Sequence, residues 1–250
     1  FKDRDRPHCP PAAKSVRISE DEETGTYRDD LGNVVRHWKN KDWGMSHRIE
    51  YGLKGRNDWE KYRSRLNPRS PTRFPENMEE WKRSVKNRDY PLGIIAGSTY
   101  GWIRNWMGPE NISLMLYDDP EFIKEMMDCL ADFMCETVAH WLEGVQFDFA
   151  IIWEDLGMKT GPLISPDHFR QFCLPAYRRV IALLKAHGVN VIMVDSDGNN
   201  DVILPLWLEV GVNCLYPLEV AAGNDAVAMR RQYGERLILF GGIDKRALSK

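Results

Sequence analysis

From Pro91 onward the chain repeats one pattern: a short apolar run, a loop, a long amphipathic segment, and a glycine where that segment should end. The runs span 92–96, 147–153, 190–194, 212–216 and 237–240, each nearly continuous, as strands of a buried parallel sheet are. The segments between them predict helices over 120–143, 166–187, 201–210 and 224–233. Ser165-Pro166-Asp167 is a cap residue, then proline at the first helical position, then an acid in the first turn; Pro120-Glu121 opens the preceding helix in the same way. Gly144, Gly188, Gly211 and Gly234 supply left-handed C-terminal caps. Repeated βα units with short links require a parallel sheet, and right-handed crossovers leave an open doubly wound sheet or a closed barrel.

In either architecture a ligand lies beyond the carboxyl ends of the strands, and acids recur there. Glu154 and Asp155 follow the second run, Asp195 and Asp197 the third, Glu219 the fourth and Asp244 the fifth. Converging on one mouth, these six are the candidate catalytic residues, because crowded carboxylates raise one another's pKa until one serves as general acid or base near neutral pH. Each also has an ordinary reading: Asp197-Gly198-Asn199 is a turn leading into a helix, and Asp244 is a cap. Arg104 and Lys245 can balance the charge.

The loop expected over 97–108 mixes glycine with Tyr100, Trp102 and Arg104. Such a loop suits stacking on a flat ligand and pairing with its carboxylate, so these three and Lys245 are the candidate substrate-binding residues. The alternative is an aromatic loop packed on the N-terminal part.

No cofactor is required by these residues, though oxygen ligands from Asp195, Asp197 and Glu219 would suit a divalent metal such as magnesium, calcium or manganese. Zinc is disfavoured: only His8-Cys9 brings a histidine close to a cysteine, and His168 and His187 sit at the two ends of one helix. The cysteines at 9, 129, 135, 173 and 214 are odd in number and scattered, and read as reduced, mostly as small hydrophobes.

Residues 1–90 are charged and tryptophan-rich, with few apolar runs, and read as an appendage packed on the barrel units of 91–250. Alternation over 14–38, with turns at Glu23-Thr24-Gly25 and Leu31-Gly32-Asn33, predicts a β-hairpin or meander; short helices are expected over 57–66 and 77–87, the second capped by Asn77. A net charge of −3 gives no general attraction to nucleic acid or anionic lipid. No apolar run approaches the roughly 20 residues of a membrane span, and no signal peptide is visible, so a cytoplasmic protein is expected.

Ile151-Ile152-Trp153-Glu154-Asp155-Leu156-Gly157, Ser165-Pro166-Asp167-His168-Phe169-Arg170 with Leu174-Pro175-Ala176-Tyr177, Asp195-Ser196-Asp197-Gly198-Asn199, Tyr216-Pro217-Leu218-Glu219 and Gly241-Gly242-Ile243-Asp244 together resemble the uroporphyrinogen decarboxylase superfamily. Their order and spacing match it over about 90–250, and more loosely over 15–80. The resemblance implies an α/β fold, a parallel (β/α)8 barrel of the TIM type, here incomplete at both ends and carrying an N-terminal β-hairpin; further residues are expected to complete it. It implies decarboxylation of acetate side chains of a tetrapyrrole, with Arg104 anchoring a carboxylate and Glu154 or Asp197 positioning or protonating the ring. The alternative is corrinoid-dependent methyl transfer from a small methylated substrate, with the corrinoid on a partner protein. A third reading is a non-catalytic tetrapyrrole or small-acid binder. A small-molecule or tetrapyrrole substrate, a homodimer and a corrinoid protein are the partners this allows.

Two departures stand out. Where the decarboxylases carry a tyrosine this chain has Arg104, with Tyr100 one helical turn away, and where the zinc methyltransferases carry His-x-Cys-Gly it has Asp195-Ser196-Asp197-Gly198. The second removes an imidazole and a thiolate from any such metal site.

Overall fold

The computed structural model describes residues 15–29, 31–39 and 46–248. Cys9, the first part of the expected appendage and the last two residues lie outside them.

The N-terminal region begins with a four-stranded antiparallel meander, β1 (Val16–Glu20), β2 (Thr24–Arg28), β3 (Val34–Trp38) and β4 (His47–Glu50), paired in chain order. The second expected turn forms, with Gly32 at φ 93° and Asp29 binding the backbone of Leu31 and Asn33. The first is displaced. Asp21 takes the N–H of Glu23 and of Thr24, so the bend closes earlier and Thr24 and Gly25 enter β2. Two helices follow, α1 (Arg56–Arg63) and α2 (Met78–Lys86); Asn77 caps the second through the N–H of Glu80 at 3.0 Å.

Five parallel strands then form one sheet: β5 (Gly93–Gly97), β6 (Phe149–Trp153), β9 (Val191–Asp195), β10 (Cys214–Leu218) and β11 (Ile238–Gly241). A two-stranded ribbon, β7 (Gly157–Met158) and β8 (Gly161–Pro162), interrupts the loop after β6. The spatial order is the chain order, with no reversal along the sheet. A doubly wound sheet has a switch point where the order reverses, so the choice left open by periodicity alone falls to the barrel type. The described strands make a five-stranded arc of it.

Between the strands run α3 (Tyr100–Met107), α4 (Pro109–Asp118), α5 (Pro120–Leu142), α6 (Pro166–His168), α7 (Leu174–Ala186), α8 (Leu204–Val210) and α9 (Ala226–Tyr233), with α10 (Lys245–Leu248) after β11. A wide π-type turn, Phe169–Cys173, joins α6 to α7. Ser165 caps α6 through the N–H of His168, and the four expected glycine caps all have positive φ.

The segment 97–108 is a helix rather than the expected loop. Its glycines mislead: Gly97 and Gly108 bracket α3, and Gly101 lies inside it because a Cβ there would meet the Glu154 carbonyl at 2.6 Å. The helix α4 was likewise unanticipated.

The strands are less symmetrically buried than continuous apolar runs suggest. Ile94, Ala96, Ala150, Ile152, Ile192 and Val194 are buried in one core with the helices, Phe122, Met126, Leu130 and Ile181 among them. The alternate residues form a second, half-open face. In register across it stand Ile95, Ile151 and Met193, and one layer nearer the carboxyl ends Trp153, Asp195 and Tyr216. Among the described residues no helix is long and apolar enough to cross a membrane.

Candidate active site

The loops at the carboxyl ends of β5, β6, β9, β10 and β11 carry the expected residues, and the structure sorts them into three kinds.

Glu154 is wholly buried. Its carboxylate accepts the N–H of Thr99 at 2.7 Å, the Thr99 hydroxyl at 3.0 Å, the N–H of Gly101 at 2.6 Å and the hydroxyl of Tyr177. It thus holds the first turn of α3, where helical N–H groups lack partners of their own. Burial pushes its pKa up to about 7, against the pull of those hydrogen bonds. Tyr177 also accepts from Thr99, closing the cluster, and Cys173 beside it is driven upward by burial.

The fixed α3 directs Arg104. Its guanidinium donates to the Asp155 carbonyl and, at 3.3 Å, to the Asp155 carboxylate, and lies 5.7 Å from the centre of the Trp153 ring. Asp155 has φ 46°, a left-handed conformation no other described non-glycine residue adopts. There its N–H and that of Glu154 both reach the Asp195 carbonyl, at 3.0 and 2.9 Å, tying the ends of β6 and β9 together. Gly157 and Gly198 allow the two loops to touch, since a side chain on Gly157 would collide with the carbonyl of Asp197.

Asp195 differs from both. Half-buried at the end of β9, it has no hydrogen-bonding or ion-pair partner for its carboxylate among the described residues. Its pKa is pushed up to about 6 by burial and by the charges of Asp197 and Asp155. Asp197 is exposed, forms no ion pair among the described residues, and its pKa is raised by partial burial and by Asp155 and Glu219 against the pull of Lys245. Glu219 is occupied: one oxygen accepts from Lys245 at 2.7 Å and the other from the Gly198 N–H at 3.1 Å, which lowers its pKa. Asp244 caps α10 and pairs with Arg246, which holds its pKa down to about 2.

Some expectations need correction. Tyr100 and Trp102 do not line the mouth: they are 0% and 1% exposed, Tyr100 bonding the Leu163 carbonyl at 3.3 Å and Trp102 packing on Trp106 and Phe133. They are core because 97–108 is helical. Lys245 is exposed but already pairs with Glu219. Asp195, Asp197 and Glu219 do not form a ligand set, since both oxygens of Glu219 are taken, and no group of three His, Cys, Asp or Glu side chains among the described residues is placed to hold a metal ion.

The sequence reading missed Thr99, Ser196, Asn200 and Asn224, and gave Tyr177 no role beyond its motif. Asn224 bridges the carbonyls of Gly198 and Glu219, while Ser196 binds the Leu156 N–H and Asn200. Ser196 and Asn200 lie within the polar run 195–201, where nothing in the sequence separates them from turn residues, yet both are wholly buried.

The family model for uroporphyrinogen decarboxylase (URO-D) matches residues 49–250. No curated protein sequence matches the chain. Among solved structures, a methyltransferase from Methanosarcina mazei is similar in fold, with a TM-score of 0.56 at 15% identity over 84% of this chain. The chain spans 59% of the length of that protein.

Proposed function

The chain belongs to the uroporphyrinogen decarboxylase family, and on that premise we propose that it is an enzyme transferring a methyl group from a small substrate to a corrinoid carried by a partner protein. The observation that carries this reading is the charge at the mouth. Arg104, Lys245 and Arg246 are already matched with Asp155, Glu219 and Asp244, which leaves Asp195 and Asp197 without an ion-pair partner among the described residues, Asp197 feeling only the more distant attraction of Lys245. A tetrapyrrole bearing carboxylates on every ring would meet them. Two like charges 4 Å apart cost about 4 kcal/mol at the effective dielectric of a protein surface. A small substrate that is neutral or positive meets no such cost.

The residues suit a docked corrinoid at one point: the rim carries exposed apolar side chains, Met158, Val202 and Ile243, of the kind a flat macrocycle covers. When bound, the corrinoid supplies a metal centre that accepts or gives the methyl group. The chain supplies the rest. Glu154 fixes α3, Arg104 closes one wall, and Asp195 and Asp197 face the substrate. A methyl group leaves an oxygen or nitrogen readily only when that atom departs neutral, because alkoxide and amide ions are poor leaving groups. Asp195 can protonate a departing oxygen, since about 6 lies close to neutral pH, or the carboxylate pair can bind a donor that is already cationic.

Decarboxylation is the second reading, favoured by the same raised Asp195, an acid able to deliver the proton that replaces carbon dioxide. The two separate in one assay. Reduced cobalamin is incubated with the protein and methylated amines or methyl ethers while its absorbance is followed, and carbon dioxide is measured in parallel from uroporphyrinogen. Methylation of cobalamin without carbon dioxide release is the expected result. Carbon dioxide release without methylation would replace this reading by the second.

A further inference from the structure

We infer that Asn224 is a positioning residue for Asp197: its side-chain amide holds the turn after β9 against the loop after β10, and so sets where the Asp197 carboxylate stands at the mouth. The inference rests on the reading in which Asp197 faces the substrate, and gives that carboxylate its support.

The Asp197 carboxylate makes no hydrogen bond or ion pair among the described residues, so its place is inherited from the backbone that carries it. That backbone is gripped from two sides. On the β6 side the Asn199 N–H donates to the Met158 carbonyl at 2.8 Å, and a Cβ on Gly198 would lie 2.3 Å from the Gly157 carbonyl. On the β10 side both polar groups of Gly198 are engaged. Its N–H donates to the Glu219 carboxylate at 3.1 Å, and its carbonyl accepts from Asn224 Nδ2 at 2.9 Å. The same nitrogen donates to the Glu219 carbonyl at 3.0 Å, so one amide joins the two loops.

A second observation separates this role from an ordinary structural one. Asn224 is 5% exposed, and its Oδ1 has no hydrogen-bond partner among the described residues. A buried acceptor left without a donor among them costs stability, so the two bonds made by Nδ2, rather than net stability, account for the residue. Nor is it the cap of the helix that follows, because Asp225 caps α9 through the N–H groups of Val227 and Ala228. Asn213 provides the contrast. At the amino ends of the same two strands it bonds the Ile192 N–H and the Asn190 carbonyl, each at 2.9 Å, and both ends of its amide are satisfied.

Releasing Gly198 frees Asp197 to move toward water. The charged groups around it are Asp195 on β9, Asp155 after β6, Glu219 after β10 and Lys245 on α10. Burial, the largest cause, and the acids raise its pKa while Lys245 opposes them, so a turn let out to solvent titrates lower.

The test follows the Asp197 carboxyl by carbon NMR in aspartate-labelled protein, its signal assigned with Asp197→Asn. Asn224→Ala should lower the titration midpoint by about 0.5 pH unit or more and slow methyl transfer about tenfold. Asn213→Ala, which cuts a tie between the same strands far from the mouth, should lower the melting temperature and move neither readout. If Asn224→Ala does not fold, Asn224→Ser, which keeps one donor, carries the same comparison. A midpoint unmoved in the folded Asn224 variant, or shifted equally by Asn213→Ala, would overturn the inference and leave the methyl-transfer reading intact. A shifted midpoint in a protein whose wild type methylates no cobalamin would remove that reading and leave the placement of Asp197 standing.

Discussion

The β5–β6 side of the mouth and its β9–β10 side are built from the same material and behave as opposites. On the first, Glu154 is out of water, yet four donors converge on it and no oxygen is left for a ligand. On the second, Asp195 is less buried and has none. Both pKa values rise, to about 7 and about 6, with burial as the leading cause in each. A raised pKa alone therefore does not separate a structural carboxylate from one available for chemistry; the number of donors already in place does.

The largest effect should come from the closed side. Glu154→Ala strands the N–H groups of Thr99 and Gly101 and the hydroxyl of Tyr177 in a dry cavity, and should cost about 3–5 kcal/mol. Glu154→Gln keeps the shape but turns one acceptor into a donor facing another donor, and should cost about 1–3 kcal/mol. Chemical denaturation measures both. A loss below about 1 kcal/mol for Glu154→Ala would mean that β5 and β6 do not depend on this carboxylate, and the contrast between the two sides would fail.

Asp195→Asn should move stability the other way. Its folded pKa of about 6 exceeds the unfolded value near 3.9, so the native state binds the proton more tightly. The wild-type protein accordingly loses stability as pH rises from about 4 through about 6 and stays penalised above that. The asparagine variant escapes the penalty. It should match the wild type near pH 3.5 and exceed it at pH 8 by about 1–2 kcal/mol, discounted for partial exposure. Glu154 titrates in an overlapping range, so the difference between variant and wild type, not the wild-type curve, is the measurement. Methyl transfer should fall about 100-fold in the same variant. A variant that is both destabilised at pH 8 and fully active would make Asp195 an ordinary structural residue.

Glu219→Gln tests the boundary between the sides. It removes the ion pair with Lys245, of which the lysine is 75% exposed, and weakens the acceptor for the Gly198 N–H. Stability should drop by about 0.5 kcal/mol or less, as for other solvent-screened pairs. Because Glu219 also raises Asp197, its removal should shift the acidic limb of the activity profile to lower pH. An unmoved acidic limb would mean that Asp197 does not contribute to it.

Much of this arrangement was legible in the sequence because it is local. The five strands came from their apolar runs, the helix starts from Ser165-Pro166 and Asn77, and the acids at the strand ends from position alone. What was not legible is the pairing across the fold. Nothing near Glu154 in the chain announces Thr99, 55 residues earlier, or Tyr177, 23 residues later. Gly101 was read as a loop residue because its reason for being glycine, the closeness of the Glu154 carbonyl, is tertiary. That one misreading turned α3 into a loop and sent Tyr100 and Trp102 to the mouth instead of the core.

The smallest effect should come from Asp244, the acid whose local role outweighs its position at the mouth. It is partly exposed, its carboxylate accepts from the backbone and side chain of Arg246, and its pKa is held down to about 2 mainly by that arginine. Asparagine caps a helix about as well as aspartate, so Asp244→Asn should change the melting temperature by no more than about 1–2 °C. Activity should stay within about twofold of the wild type, and raising the salt concentration should leave the variant and the wild type closer still, because an exposed pair is screened. A tenfold loss of activity with stability intact would move Asp244 to the same side of the comparison as Asp195. Three carboxylates rather than two would then face the substrate.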